Sequence, residues 1–425
     1  MSELFCDVLV IGSGPAGLMT AIRSAERGKR TVVLEKNRKA AVKILMSGGT
    51  RCNLTHDCDA RGIMEAFGPA GRFLHSALAR LGPRELVELF EAEGMPVKVE
   101  PGGKIFPVSD RSLDVVTALL ARLNRSGAEL LLGEGAADVR PLPEGGFAVE
   151  TSEGRTLDCR SLVVATGGKS YPGCGTTGDG YAWLSRLGHT IRRPRPALVP
   201  LLTGDDWAKD LSGVTVPDAE LRALDPEASK AAKRRGFPAG VTEERRGSLL
   251  LTHFGLSGPT ALDVSRAFTD REAANRRRLV VDFLPDVSAA EFEQRLQCVA
   301  ASDGRRSVGE LLPSALPRRL TESLLRQANV PIDRRAAELS RDERRRLVER
   351  TKACPFDVTG SRGFEKAEVT AGGVALDEVD GRTMESRLVP GLFIVGEILD
   401  LDGWIGGYNF QSAFSVGWLA GESIP

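Results

Sequence analysis

The chain opens on a strand, a glycine-rich turn and a helix in an order that few folds accommodate. Val8–Ile11 is an apolar run, Gly12, Gly14 and Gly17 follow it as G-x-G-x-x-G, and Pro15 and Ala16 begin a helical pattern reaching Arg27. Thr31–Leu34 is the next apolar run, and Glu35 closes it 18 residues past Gly17. In a βαβ unit Gly12 makes the tight turn, Gly14 lets backbone approach a pyrophosphate, and Gly17 lets helix and strand touch. The helix N-terminus offers N–H groups and positive dipole to phosphate, and Glu35 accepts from the ribose hydroxyls. The bland alternative is a glycine-rich turn, which leaves the strand, the helix and the acid unaccounted for. A dinucleotide is therefore expected here, and the acid argues against NADP without separating FAD from NAD.

The same texture of short apolar runs alternating with helical patterns continues to about Arg193, as for a parallel sheet carrying a smaller β-meander. From Pro194 to Gly360 it changes to short β-rich stretches at Leu198–Leu202, Ser248–Leu251 and Leu279–Leu284, then to helices between about Ser288 and Lys352. After Gly360 the glycine-rich α/β texture returns. The 57 basic and 57 acidic residues cancel, so bulk charge names no partner, and no apolar run is long enough to span a bilayer. Seven cysteines, an odd number without paired spacing, suit a reducing compartment rather than a disulfide framework or a zinc site. With a strand starting beside Met1 no leader is expected to precede the fold, and a cytoplasmic location follows.

Other segments bear on which dinucleotide. Leu162–Gly168 runs a strand into Thr166, Gly167 and Gly168, and Gly178 and Asp179 follow. These resemble elements of glutathione-reductase-type and fumarate-reductase-type flavoproteins. Gly391–Glu397 resembles the strand, glycine and acid whose carboxylate meets the ribityl chain there, with Gly396 and with Glu397 in place of the usual Asp. Gly173, Gly175 and Gly178 spell a second G-x-G-x-x-G, but a loop of seven residues parts it from its strand, so it lacks a phosphate-binding context. NAD(P)H is accordingly expected to bind transiently, in front of non-covalent FAD.

Lys43, Ser47, Gly48, Gly49, Thr50, Arg51, Cys52, Asn53 and Thr55 stand in the spacing K-x-x-x-S-G-G-T-R-C-N-x-T. This resembles the signature of the BaiN/RdsA (YhiN-like) flavoproteins, which usually have glycine at position 50. Blocks at Gly103–Asp110, Leu251–Pro259, Val369–Val374, Thr383–Ser386 and Asp400–Phe414 agree in the same order. The resemblance implies an α/β fold: a discontinuous, Rossmann-like FAD-binding domain of the glutathione-reductase type, made of residues 1–193 and 360–425. Into it is inserted a β-barrel-like domain, 194–287 and 353–359, carrying a helical subdomain, 288–352. It implies flavin oxidoreduction too, with substrates that differ among relatives: bile-acid-type enones, aminoacetone, or a ribosomal-RNA uridine.

Read from the residues, Ser47–Asn53 is small and glycine-rich enough to lie against a planar ring, while Lys43 and Arg51 bring positive charge to a reduced, anionic flavin or to phosphate. Gly406 and Gly407, ahead of a helix from Asn409, aim N–H groups at the pyrimidine side of the isoalloxazine. Lys36, Ala136 and Asp402 complete the expected cofactor-binding set. For catalysis the candidates are Arg51, Cys52 and His253. Cys52 can protonate a substrate carbon or simply pack, and His253 can face substrate as acid, base or donor or cap a following helix. No metal-ligand cluster is apparent.

Hydride transfer through flavin N5 to or from a C=C or C=N bond is the expected chemistry. A dihydrouridine-forming reductase acting on ribosomal RNA and a non-enzymatic flavin- or RNA-binding module are the alternatives. Basic clusters at Lys233–Arg235, Arg276–Arg278 and Arg344–Arg346 suit an RNA partner or a solvated helix face, and a small molecule remains the other partner class.

Overall fold

The computed structural model of the protein describes residues 4–225, 240–270, 277–312 and 316–425. Two compact units emerge, one of residues 1–196 with 368–425 and one of residues 197–367.

The first unit is built on a seven-stranded sheet whose parallel part reads, in spatial order, Glu129–Leu132, Thr31–Glu35, Leu4–Ile11, Thr156–Val164 and Leu392–Ile394. Strands Ala136–Pro141 and Phe147–Thr151 add an antiparallel meander to the start of Thr156–Val164. The central strand has near-continuous burial, with Val8, Leu9 and Val10 at 0 % exposure, as a parallel strand covered on both faces requires. Its two parallel neighbours come from residues far apart in the chain, and a third strand comes from the C-terminal part.

The C-terminal helix Tyr408–Ser423 joins the two ends of the chain by packing on the nucleotide helix Pro15–Glu26. Gly417 and Gly421, four residues apart, make this possible. A Cβ on Gly421 would stand 2.6 Å from Thr20 O, and one on Gly417 would overlap Ala16 O. Thr20 Oγ1 lies 2.9 Å from Gly417 O, and Arg27 donates to the carbonyls of Gly421 and Ile424.

His189, 3 % exposed, shares a 2.9 Å hydrogen bond with Ser386 Oγ in this unit. Burial holds its imidazole below the ordinary pKa. The folded chain therefore resists a proton that the unfolded chain accepts below about pH 6.5, and stability is lost as pH falls through that value. The expected loss is at most about 1.4 kcal/mol per pH unit, and His189→Gln should remove it, as thermal melts between pH 8 and 5 will read.

The second unit holds a seven-stranded antiparallel sheet in the order Cys354–Phe356, Arg278–Asp282, Thr215–Leu224, Val241–Thr252, Gly255–Ser257, Leu201–Thr203, Val358–Ser361. The sheet is open, but its two edge strands are consecutive in the chain and joined by Asp357 alone, so it curls until its edges meet at that residue. Helices Ala289–Ser302, Arg318–Gln327 and Arg341–Lys352 bury Phe292, Leu296, Leu320, Leu324 and Leu347 in the same apolar cluster as the strands' Leu221, Leu249 and Val281. Ser288 and Ser340 start two of these helices with full capping boxes to Glu291 and Glu343.

Among the described residues no helix is long and apolar enough to cross a membrane. Of the basic clusters, Lys233–Arg235 and Arg276 lie outside the described residues. Arg344 is inward, 16 % exposed and 3.5 Å from Glu293, and Arg346 Nε donates to Ala328 O at 2.8 Å, whereas Arg345 is 75 % exposed.

Candidate functional site

The nucleotide turn has the geometry its spacing demands. Gly12 sits at φ +105°, where a side chain is strained, and its Cβ would come 2.5 Å from Ala165 O. A Cβ on Gly17 would overlap Gly12 O. Around Gly14, by contrast, nothing comes within 4 Å of a Cβ position. Pro15 occupies the first helical position, where its missing N–H costs nothing, and the ladder begins with Leu18 N donating to Gly14 O at 2.9 Å. The N–H groups of Ala16 and Gly17 thus precede the ladder, beside open space.

Glu35, 8 % exposed, already accepts four hydrogen bonds: from Ser13 N and Oγ at 2.9 and 2.6 Å, and from Asn37 N and Nδ2 at 2.9 and 2.8 Å. The two backbone donors fix the carboxylate, and the two side-chain donors are the ones that can turn aside for ribose hydroxyls. Lys36 donates to Thr177 Oγ1 and to Asp179 Oδ2, both at 2.6 Å, so two of the expected cofactor residues hold each other. Gly178, at φ +83°, caps the helix that Asp179 begins. Ala136 opens the strand Ala136–Pro141, and a Cβ on its neighbour Gly135 would stand 2.9 Å from that of Lys36.

At the other end, one network ties four remote segments. Lys43 Nζ bonds Glu397 and, at 2.6 Å, Ser170 Oγ; Ser170 Oγ also bonds Glu397; and Thr370 N donates to Glu397 Oε1 at 3.0 Å. Thr370 Oγ1 accepts from Lys169 N and Ser170 N at 2.8 and 3.0 Å. Gly168 must be glycine here, since a Cβ would strike Thr370 Oγ1 and stand 2.9 Å from Glu397 Oε1. Gly396, at φ +82°, sets the acid beside the nucleotide helix, a Cβ there being 2.9 Å from that of Ala16. Gly167 has φ +73°. The Lys43 charge is therefore matched by Glu397 within the chain.

The 47–53 segment has four residues in left-handed backbone, with φ +54° at Gly48, +66° at Gly49, +71° at Thr50 and +60° at Cys52. Ser47 Oγ donates to Ile44 O at 2.8 Å. Arg51 pairs with Glu100 and Asp110, its guanidinium 4.2 Å above the Phe106 ring, and Lys98 reaches Asp110 at 2.6 Å. Lys98 and Arg51 together hold the Asp110 carboxyl below its usual range. Cys52 is fully enclosed, and burial pushes its thiol up to about 12, so it is protonated and without access to solvent. Thr50 is β-branched in a conformation natural to glycine. Thr50→Gly is expected to stabilise the fold by about 0.5–1 kcal/mol after the flexibility it adds to the unfolded chain, measurable by denaturant titration.

Gly406 and Gly407 lie at φ +132° and +94°, and a Cβ on Gly407 would be 2.5 Å from Thr55 C and O. Asn409 folds back on its own loop, donating to the carbonyls of Gly403 and Trp404 and accepting from Gly403 N at 2.9 Å. Asp402 is half-buried in the same loop. Thr55 Oγ1 donates to Gln411 Oε1 at 2.5 Å, and His56 Nδ1 lies 3.0 Å from Gly406 O. His253 belongs to the second unit, exposed in a hairpin turn with its ring edge-on to Phe254.

The structure thus groups Gly12–Gly17 with Glu35, and Lys43 with Gly168 and Glu397. It adds Asn37, Ser170, Thr370, Thr55, His56 and Gln411, none of which was in the expected site set. Thr55, Thr370 and Gln411 stood inside the shared motif blocks, and that was the only signal. Two buried oxygens, Asn53 Oδ1 and Thr166 Oγ1, have no hydrogen-bond partner among the described residues. Both belong to the expected cofactor set, and a buried oxygen left unmatched is what a polar ligand would satisfy. With the open space at Gly14, the residues fit FAD.

A Rossmann sheet of this order and a glycine-lined cradle of this kind define a flavin-dependent oxidoreductase. Residues 6–423 match the HI0933-like protein Rossmann domain family, and the chain belongs to that family. It is 31 % identical over 427 residues to the ribosomal RNA dihydrouridine synthase of Escherichia coli (strain K12), covering 98 % of each chain. It is 30 % identical over 417 residues to the 3-dehydro-bile acid delta(4,6)-reductase of Clostridium scindens, covering 97 % of this chain and 98 % of that one. The structure of 3-ketosteroid-delta4-(5alpha)-dehydrogenase from Rhodococcus jostii RHA1 shares the fold, with a TM-score of 0.53 at 15 % identity, over 100 % of this chain and 97 % of that one.

Proposed function

We propose that this flavoenzyme reduces a carbon–carbon double bond conjugated to a carbonyl, with NAD(P)H as the transient electron donor. The observation that carries the reading is the pair of relatives, each about 30 % identical over nearly the full chain. One forms dihydrouridine and the other reduces a 3-oxo steroid at Δ4,6, and both names describe saturation of a C=C conjugated with C=O. FAD supplies hydride exchange at its N5 when bound.

In this reading residues 1–193 and 360–425 form the FAD-binding domain. Residues 194–287 with 353–359 and the helices of 288–352 form the inserted domain. Gly12–Gly17 and Glu35 hold the pyrophosphate and ribose. Thr166, Gly167, Gly168, Gly396 and the Glu397 network hold the ribityl side, and Ser47–Asn53 with Gly406 and Gly407 lie against the ring. His253 is a candidate to move a proton, while Cys52 packs. Arg51 supports the 47–53 segment through its carboxylate partners.

The purified, FAD-loaded protein is expected to oxidise NAD(P)H faster than free flavin when given a conjugated steroid enone or ribosomal RNA. Dihydrouridine in the ribosomal RNA of a host lacking its own synthase, with and without this chain, then chooses between the two acceptors. Absence of turnover with both acceptors would falsify the proposal. For the RNA arm, Arg326, Arg335, Arg341 and Arg345 are exposed arginines to reverse, because Arg344 and Arg346 are tied into the fold.

A further inference from the structure

We infer that His56 is a positioning residue that sets the direction of the Gly407 N–H by gripping the carbonyl on the other side of the same peptide. The inference rests on the reading that Gly406 and Gly407 face the flavin.

A carbonyl only accepts, so the 3.0 Å contact between His56 Nδ1 and Gly406 O requires a proton on Nδ1. In a trans peptide the C=O and N–H point in opposite directions. Holding the Gly406 oxygen therefore fixes where the Gly407 N–H points. Such a constraint is needed at this place. Two consecutive glycines, at φ +132° and +94°, flank a peptide that no Cβ hinders from rotating.

The ring of His56 is itself held on one face and at its far edge. It stacks on Tyr408 with centroids 4.6 Å apart and planes 21° apart, and Trp404 meets Tyr408 edge-on at 6.1 Å. Gly103, at φ +78°, abuts the far edge, where a Cβ would be 2.6 Å from Nε2. The neighbouring Thr55 supports the same helix end through its bond to Gln411 and its backbone contact with Gly407. Beyond Gly407, the ladder starts with Gln411 N donating to Gly407 O at 2.9 Å, so the positive end of the helix lies at its first turn. A donor aimed by His56 would add to that positive end, and its effect is greater on the reduced, anionic flavin than on the oxidised one.

The test uses the FAD-loaded protein and reads the midpoint potential by equilibration with a reference dye, together with the dissociation constant of oxidised FAD. His56→Phe keeps a flat ring against Tyr408 and loses the donor. It is expected to lower the affinity for reduced relative to oxidised FAD about tenfold, a shift of ~30 mV to more negative potential for a two-electron couple. The dissociation constant for oxidised FAD should change less than about threefold. His56→Gln, whose amide can donate, should recover most of the shift. Where His56→Phe does not fold, Gly103→Ala reads the same coupling by displacing the ring, and the same negative shift is expected.

An unchanged potential in these variants, or a shift that His56→Gln fails to relieve, overturns the inference. Failure of the wild-type chain to take up FAD is a different result and overturns the cofactor-site reading beneath it.

Discussion

Gly14→Ala and Gly17→Ala are expected to weaken FAD binding for different reasons, and the difference is readable without the cofactor. Gly14 has φ −70° and nothing within 4 Å of a Cβ, so alanine there leaves the flavin-free fold within about 1 kcal/mol of wild type, the cost of a poorer N-cap. That Cβ nonetheless enters the space kept open in front of the Ala16 and Gly17 N–H groups, and a pyrophosphate needs that space. The FAD dissociation constant should rise about a hundredfold, equivalent to roughly 2.8 kcal/mol. Gly17→Ala drives a methyl group into Gly12 O, and the nearest relief is to lift the helix from the strand. It should cost the flavin-free chain about 1–3 kcal/mol as well as losing FAD. Thermal unfolding of flavin-free protein, set beside flavin absorbance after gel filtration, separates the two. If Gly14→Ala retained FAD as tightly as wild type, the pyrophosphate would have to lie elsewhere.

That contrast shows which kind of information a sequence carries openly. The Gly12, Gly14, Gly17 and Glu35 positions were legible because what they do is local. A tight turn, a close approach and a strand end all fall within one βαβ unit, where spacing in the chain is spacing in space. The sheet order was partly legible for the same reason. Its fifth parallel strand, Leu392–Ile394, comes from 228 residues beyond the strand it pairs with, counting from Val164 to Leu392, and only the strand-and-glycine texture pointed to it.

Charge was harder to read. Lys43 and Arg51 look like cations waiting for a ligand, yet each is met by carboxylates, Glu397 for one and Glu100 with Asp110 for the other. No periodicity announces a partner 354 residues away. Ser170 was invisible and Thr370 showed only as one position of a shared block, because hydroxyls are common and only the meeting of their segments gives them work. The Gly417 and Gly421 pair passed as ordinary helix residues, although their missing side chains let the last helix close on the first.

Lys43→Met is expected to be among the most damaging single changes outside the nucleotide turn. The Lys43 and Glu397 side chains are 22 % and 19 % exposed, and removing the cation leaves a carboxylate that retains only Ser170 Oγ and Thr370 N as donors. Breaking a pair this enclosed should cost about 2–4 kcal/mol, less than for a dry interior because both groups keep some contact with water. Glu397→Gln removes the opposite charge but keeps an amide that still meets Ser170 and Thr370, so its cost should be about half as large. Because each single change strands the other partner, the double variant should be more stable than the sum of the two losses implies, by about 1–3 kcal/mol. Denaturant titration of the flavin-free proteins measures the cycle, and additive losses would show that the pair does not couple the four segments. Repeating it with FAD asks a second question. If Lys43 serves the flavin chiefly by holding Glu397 in place, the double variant should bind FAD more tightly than Lys43→Met alone. A cation that acts on the flavin directly would leave both variants equally weak.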